Sequence, residues 1–382
     1  MTTSKRASTS EGQDSDAQRR FPAIFDGHND TVISLAGEGF DGPGGRSFFE
    51  RSDKGHIDLP RARAGGLGGG FFAVLARGKQ PSADPALSTT GSKEITGIGT
   101  GFSDEEGWPP PIPLEEAQSD AVMRLGDLIR LARQSNGQAQ IVTSAAELQH
   151  CLDNGIFAIE LHFEGADPLD LDGRALETFY NAGLRSVGIT HFRQNQYAAG
   201  VPNRFPGSPD IGPGLTDAGK ELVRQLNRMH VLVDLSHANE KTFWDVATIS
   251  DAPLVATHSN AWALSNAPRN LTDKQLAAIR ESNGMVGLNY HVGFLRADGE
   301  MNPKTPLSVM ADQIDYLVEK LGIDCVGLGS DFDGAMMPAE LKDAAGLPRL
   351  MQALADRGYG DAELTKIAHG NWVRVLRATW GE

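Results

Sequence analysis

From Gly155 onward the chain alternates short apolar runs with longer amphipathic stretches. Residues 156–163, 184–190, 231–236, 253–257, 284–290 and 325–330 are almost continuously apolar over strand-like lengths. They read as strands of a sheet buried on both faces. Between and after them, residues 171–182, 217–229, 240–249, 272–282 and 307–321 read as helices, and two closing helices are expected near 347–357 and 361–378. Ahead of that region, residues 23–26 and 71–75 read as two further buried strands. Residues 114–134 have helical periodicity, with Ala121, Val122, Leu125, Leu128, Ile129 and Leu131 forming an apolar face. Residues 80–113 are rich in Pro, Gly, Ser and Thr and contain Pro109-Pro110-Pro111; they read as an excursion rather than an element. Residues 1–20 are polar and are expected to form a disordered tail, which leaves 21–382 as a single domain.

Eight strands alternating with helices imply parallel pairing through right-handed crossovers. The α/β class follows, and the (β/α)8 TIM barrel competes with a doubly wound open sheet. Polar residues at strand ends favour the barrel. His28 and Asp30 follow the first strand, Glu164 the third, His191 the fourth, His237 the fifth, His258 the sixth and Asp331 the eighth. In a closed barrel those ends share one mouth, the C-terminal face where barrel sites lie.

Imidazole nitrogen and carboxylate oxygen together suit a divalent cation such as zinc. Any one of these histidines is more simply a hydrogen-bonded loop residue, but four of them with three carboxylates at equivalent positions point to a metal centre. His28, Asp30, Glu164, His237 and His258 fill two sites if one carboxylate is shared, and Glu164 stands between the two groups in chain order. A metal pair can share a hydroxide and make it nucleophilic near neutral pH. Asp331 is placed to exchange protons with water and a leaving group. Arg269, eleven residues after His258, suits bidentate binding of a substrate carboxylate. Of the other histidines, His56, His150 and His230 read as surface residues, His162 as a core residue, His291 as a rim residue and His369 as structural.

Composition narrows the class of partner. Asp and Glu number 50 against 35 Lys and Arg, a formal charge of −15, which argues against nucleic acid or an anionic membrane as partner. The two cysteines do not make a disulfide framework. Residues 1–20 lack an apolar segment of the kind a signal peptide carries, and no apolar run approaches the ~18 residues needed to span a bilayer. A cytoplasmic location is expected, with no membrane anchor.

Several pieces in order resemble one family. They are Asp26-Gly27-His28-Asn29-Asp30, Glu164-Gly165, Gly188-Ile189-Thr190-His191 and Asp234-Leu235-Ser236-His237. Thr257-His258-Ser259, Arg269-Asn270, Gly329-Ser330-Asp331-Phe332-Asp333-Gly334 and Gly370-Asn371-Trp372 follow. This ordered set resembles the membrane (renal) dipeptidases, the M19 peptidases of the amidohydrolase superfamily. The resemblance implies a zinc-dependent dipeptidase with two Zn²⁺ per chain. His28 and Asp30 would hold one ion, His237 and His258 the other, and Glu164 would bridge them. It also implies that His191 polarises the scissile carbonyl, that Arg269 pairs with the C-terminal carboxylate of the dipeptide, and that Asp331 carries the proton from the attacking hydroxide to the leaving amine. The substrates it implies include dipeptides with a D-configured C-terminal residue, L-Xaa-D-Xaa as well as L-Xaa-L-Xaa. A related amidohydrolase acting on N-acyl amino acids or other small esters and amides, or a catalytically silent metal-binding barrel, stays open on sequence alone. So do Mn²⁺, Co²⁺ or Fe²⁺ in place of zinc, and a homodimer.

Overall fold

A computed structural model describes residues 21–37, 45–78, 108, 110–202 and 204–381. The 1–20 tail and most of the 80–113 excursion lie outside the described residues. Among the described residues nine strands form one parallel sheet: β1 (Ile24–Asn29), β2 (Leu67–Val74), β3 (Ala139–Ile141), β4 (Phe157–Glu164), β5 (Leu184–Gly188), β6 (Leu232–Asp234), β7 (Val255–Ala256), β8 (Met285–Leu288) and β9 (Val326–Leu328). The order β1-β2-β4-β5-β6-β7-β8-β9 is that of a (β/α)8 barrel, with β3 off the path. The two edges of the path meet through the Asp30 N–H to Phe332 O bond and the Asp331 N–H to His28 O bond.

β3, which the periodicity does not announce, pairs with 157–159 of β4, while β5 pairs with 161–164. Two strands therefore share one edge of β4. The helix Ala145–Asn154 is likewise unannounced. Its Ala145, Leu148 and Cys151 pack beneath the barrel with Phe25, Phe71, Ala158, Leu232, Val255, Met285 and Trp372.

Trp372, on the last helix Asn371–Trp380, closes the barrel floor. Its ring lies 5.0 Å from that of Phe71, and Nε1 donates to Leu328 O at 3.1 Å. Gly27 makes this possible, since a Cβ there would sit 2.4 Å from both Trp372 Cζ2 and Thr257 O. No helix among the described residues is long and apolar enough to cross a membrane.

Candidate metal centre

Alternation along β4 sends Phe157, Ile159, Leu161 and Phe163 outward into the main apolar core and Ala158, Glu160, His162 and Glu164 into the barrel. Glu164, the last of them, is where the mouth residues converge. Its Oε1 lies 2.9 Å from His237 Nε2, 3.5 Å from His28 Nε2, 3.5 Å from His258 Nε2 and 3.9 Å from His191 Nε2. Asp30 Oδ2 is 3.6 Å from His28 Nε2. Three overlapping sets, His28–Glu164–His258, Glu164–His191–His237 and His28–Asp30–Asp331, each keep their ligand atoms within 4.8 Å of one another. The sequence puts His28 just past the first strand; in the structure β1 runs on through Asn29, so His28 lies within it and Asp30 directly after it.

The donors fit a cation. His28 is fully buried with neither ring nitrogen hydrogen-bonded, and Asp30 Oδ1 and His237 Nδ1 are also buried without a partner. His237 and His258 point their Nε2 atoms at each other at 3.3 Å. Burial pushes His28 down to about 4 and holds His191, His237 and His258 well below the ordinary imidazole range. These rings are neutral at neutral pH, with lone pairs free to serve a cation. Burial, reinforced by Asp30 and Asp331, holds Glu164 well above the carboxylate range, and burial with Asp333 raises Asp30. Carboxyls forced toward their neutral form among neutral imidazoles are a state that a divalent cation reverses.

The surrounding contacts hold this set in place. Asp26 accepts from Ser330 N (2.6 Å) and Ser330 Oγ (2.8 Å), tying the loop that carries Asp331 to β1. Asp331 has φ 61°, and its Oδ2 accepts from Asn289 Nδ2 at 2.8 Å. Gly334 leaves room for Asp30, because a Cβ there would lie 1.9 Å from Asp30 Oδ2. Arg269 is buried; Nη1 donates to Ser259 Oγ and Nη2 to His258 O, both at 2.9 Å, and Nε has no partner. Burial lowers Arg269 to about 10, opposed by the charges of Asp331, Asp234 and Glu164, so it stays a cation at neutral pH.

His56 is a half-buried surface residue, as expected; its Nδ1 accepts from Asp333 N at 2.8 Å, and its backbone N–H donates to Asp333 Oδ1. One histidine expectation is corrected. His291 is fully buried, edge-on to Phe294 at 4.6 Å, because the short helix Val292–Leu295 turns it inward. His162 is buried beside Ser186 Oγ at 2.8 Å, and His369 bonds Ala23 O at 2.7 Å, as a core and a structural residue should. Glu160 and Asp234 stand near the centre; the sequence reading passes over Glu160 and carries Asp234 only within the piece Asp234-Leu235-Ser236-His237, without a role. Period-two alternation Glu160–His162–Glu164 is the signal that exposes Glu160 as interior.

The sequence matches the family model described as membrane dipeptidase (peptidase family M19) over residues 13–380. A Rhodobacter sphaeroides metallo peptidase, solved with a phosphinate mimic of the dipeptide L-Ala-D-Ala, is 42% identical, with TM-score 0.85, covering 94% of this chain and 100% of that one. A structure described as the dipeptidase AC, a metallo peptidase of family M19, is 41% identical with TM-score 0.84, covering 95% and 100%. An uncharacterized Klebsiella pneumoniae protein from the pqqA 5' region is 49% identical over 67% of this chain and 95% of its own length.

Proposed function

The chain belongs to the membrane dipeptidase family, peptidase family M19, and is a metallo-dipeptidase; on that premise we propose that it cleaves dipeptides bearing a free C-terminal carboxylate at a two-zinc centre bridged by Glu164. The observation that carries this reading is Glu164 Oε1 standing 3.5 Å from both His28 Nε2 and His258 Nε2, two rings from separate strand ends that stack at 3.7 Å. His28 and Asp30 would hold one ion, and His237 and His258 the other. A bound zinc pair would supply Lewis acidity and lower the pKa of water toward neutrality.

The chain's own residues do the rest. His191, kept neutral by burial, donates a hydrogen bond to the scissile carbonyl oxygen and stabilises the charge that develops there. Asp331, held by Asn289, accepts the proton of the attacking water and delivers it to the leaving amine. Arg269, a buried cation whose charge reaches Glu164, His191 and His28, pairs with the substrate carboxylate, which limits the substrate to a length that reaches from the metals to the guanidinium. Dipeptides of L-Xaa-D-Xaa type are the favoured class, as the phosphinate mimic of L-Ala-D-Ala bound by the 42% identical R. sphaeroides enzyme supports, with L-Xaa-L-Xaa as the second.

Zinc-loaded protein assayed on L-Ala-D-Ala and on its C-terminal amide tests the carboxylate requirement. Leaving the Arg269 charge unpaired is expected to lower kcat/KM for the amide on the order of 100-fold; equal rates would remove Arg269 from the site. Glu164→Gln should abolish both hydrolysis and full metal loading, and retention of both would defeat the proposal.

A further inference from the structure

Asp234 is fully enclosed just below the metal ligands, yet it touches none of them through its own carboxylate. Its Oδ1 accepts from Ser236 N (3.1 Å), Ser236 Oγ (2.7 Å) and Thr257 N (2.8 Å), and its Oδ2 accepts from Thr257 Oγ1 at 2.6 Å. Thr257 Oγ1 in turn lies 2.8 Å from His258 Nδ1, and Ser236 Oγ accepts from the His258 backbone N–H at 3.0 Å. A hydroxyl has one proton to give. At 2.6 Å, Thr257 Oγ1 and the Asp234 oxygen would repel without that proton between them. The Thr257 hydroxyl is therefore spent on Asp234 and can only accept from His258. It follows that His258 carries its proton on Nδ1 and presents a bare Nε2 to the cavity. Ser236 shows the same division of labour: its proton goes to Asp234 and its lone pair takes the His258 amide.

We propose that Asp234, Ser236 and Thr257 are positioning residues that order their hydroxyl protons so that His258 is held in the one tautomer and orientation able to ligate metal through Nε2. The inference rests on the metal centre proposed above, but it concerns the ring before any ion binds. Asp234→Asn tests the ordering sharply. The three donors on Oδ1 hold the amide oxygen at that position, which puts the amide nitrogen where Oδ2 stood. That nitrogen must donate to Thr257 Oγ1 and so releases the threonine proton, for which His258 Nδ1 at 2.8 Å is a nearer acceptor than Ser236 Oγ at 3.1 Å. A threonine proton given to Nδ1 puts the ring in the Nε2–H form, which cannot ligate. Thr257→Val keeps the side-chain shape and the backbone N–H to Asp234 but removes the hydroxyl; Thr257→Ser restores it.

The experiment combines ¹⁵N-edited NMR of the histidine rings in metal-free protein with zinc affinity by chelator competition, the His258 signals being identified by their loss in His258→Gln. The expected result is Nδ1–H for His258 in the wild type and in Thr257→Ser, and Nε2–H in Asp234→Asn. Zinc affinity should fall about 10- to 100-fold for Thr257→Val and Asp234→Asn and stay close to the wild type for Thr257→Ser. An Nε2–H His258 in the wild type, which requires no variant to fold, overturns the proposal, and so does unchanged zinc affinity in Thr257→Val. A protein that shows the predicted tautomer yet hydrolyses no dipeptide would count against the proposed function and leave this inference standing.

Discussion

Replacing Glu160 by Gln is predicted to change how stability depends on pH. Glu160 is fully buried inside the barrel, two residues before His162, with Oε2 accepting from Ser186 Oγ at 3.0 Å and Oε1 unpartnered. Burial raises its carboxyl from the ordinary 4.5 to about 8, against the smaller lowering effect of the Ser186 bond. A folded-state acid raised in this way favours the neutral form. Its contribution to stability is complete below the unfolded value and is lost as pH climbs toward the folded one. The full loss is about 5 kcal/mol, of which about 3 kcal/mol has already gone at neutral pH. Gln keeps the shape and an oxygen for Ser186 but never ionises. Denaturant unfolding of chelator-treated wild type and Glu160→Gln gives the difference at each pH, in which the titrations of Asp30 and Glu164 largely cancel. That difference should move in favour of the variant by about 4 kcal/mol between about pH 5 and about pH 9. A difference flat with pH would mean that Glu160 titrates as a hydrated group and that the barrel interior beneath the centre is wet.

Two further perturbations follow from packing. Trp372→Ala removes the barrel floor and one hydrogen bond, and should cost about 3–5 kcal/mol in urea unfolding; a loss below about 1 kcal/mol would show that the floor collapses around the gap. Gly334→Ala brings a methyl to 1.9 Å from Asp30 Oδ2 and should displace that carboxylate, so zinc bound per chain drops while the far-UV circular dichroism stays unchanged. Full zinc loading of the variant would take Asp30 out of the ligand set.

Much of this protein is legible in its sequence. Apolar runs of strand length, most of them followed within two residues by His, Asp or Glu, point to both the (β/α)8 architecture and the candidate centre. In a closed parallel barrel, the residue just after a strand has only one place to go, so the local pattern already encodes the convergence of His28, Glu164, His191, His237, His258 and Asp331. What the pattern cannot encode is which atoms face which. Asp26 binds Ser330 across 304 residues, Trp372 fills a floor made possible by Gly27, and His291 and His56 are drawn into contacts that their flanking residues do not announce. The same holds for the proton on Thr257, whose direction depends on the Asp234 carboxylate from the neighbouring strand. Periodicity reports which side of an element is buried, because burial repeats with the backbone. Pairing across space depends on the three-dimensional packing of segments distant in the chain, and only the folded structure decides it.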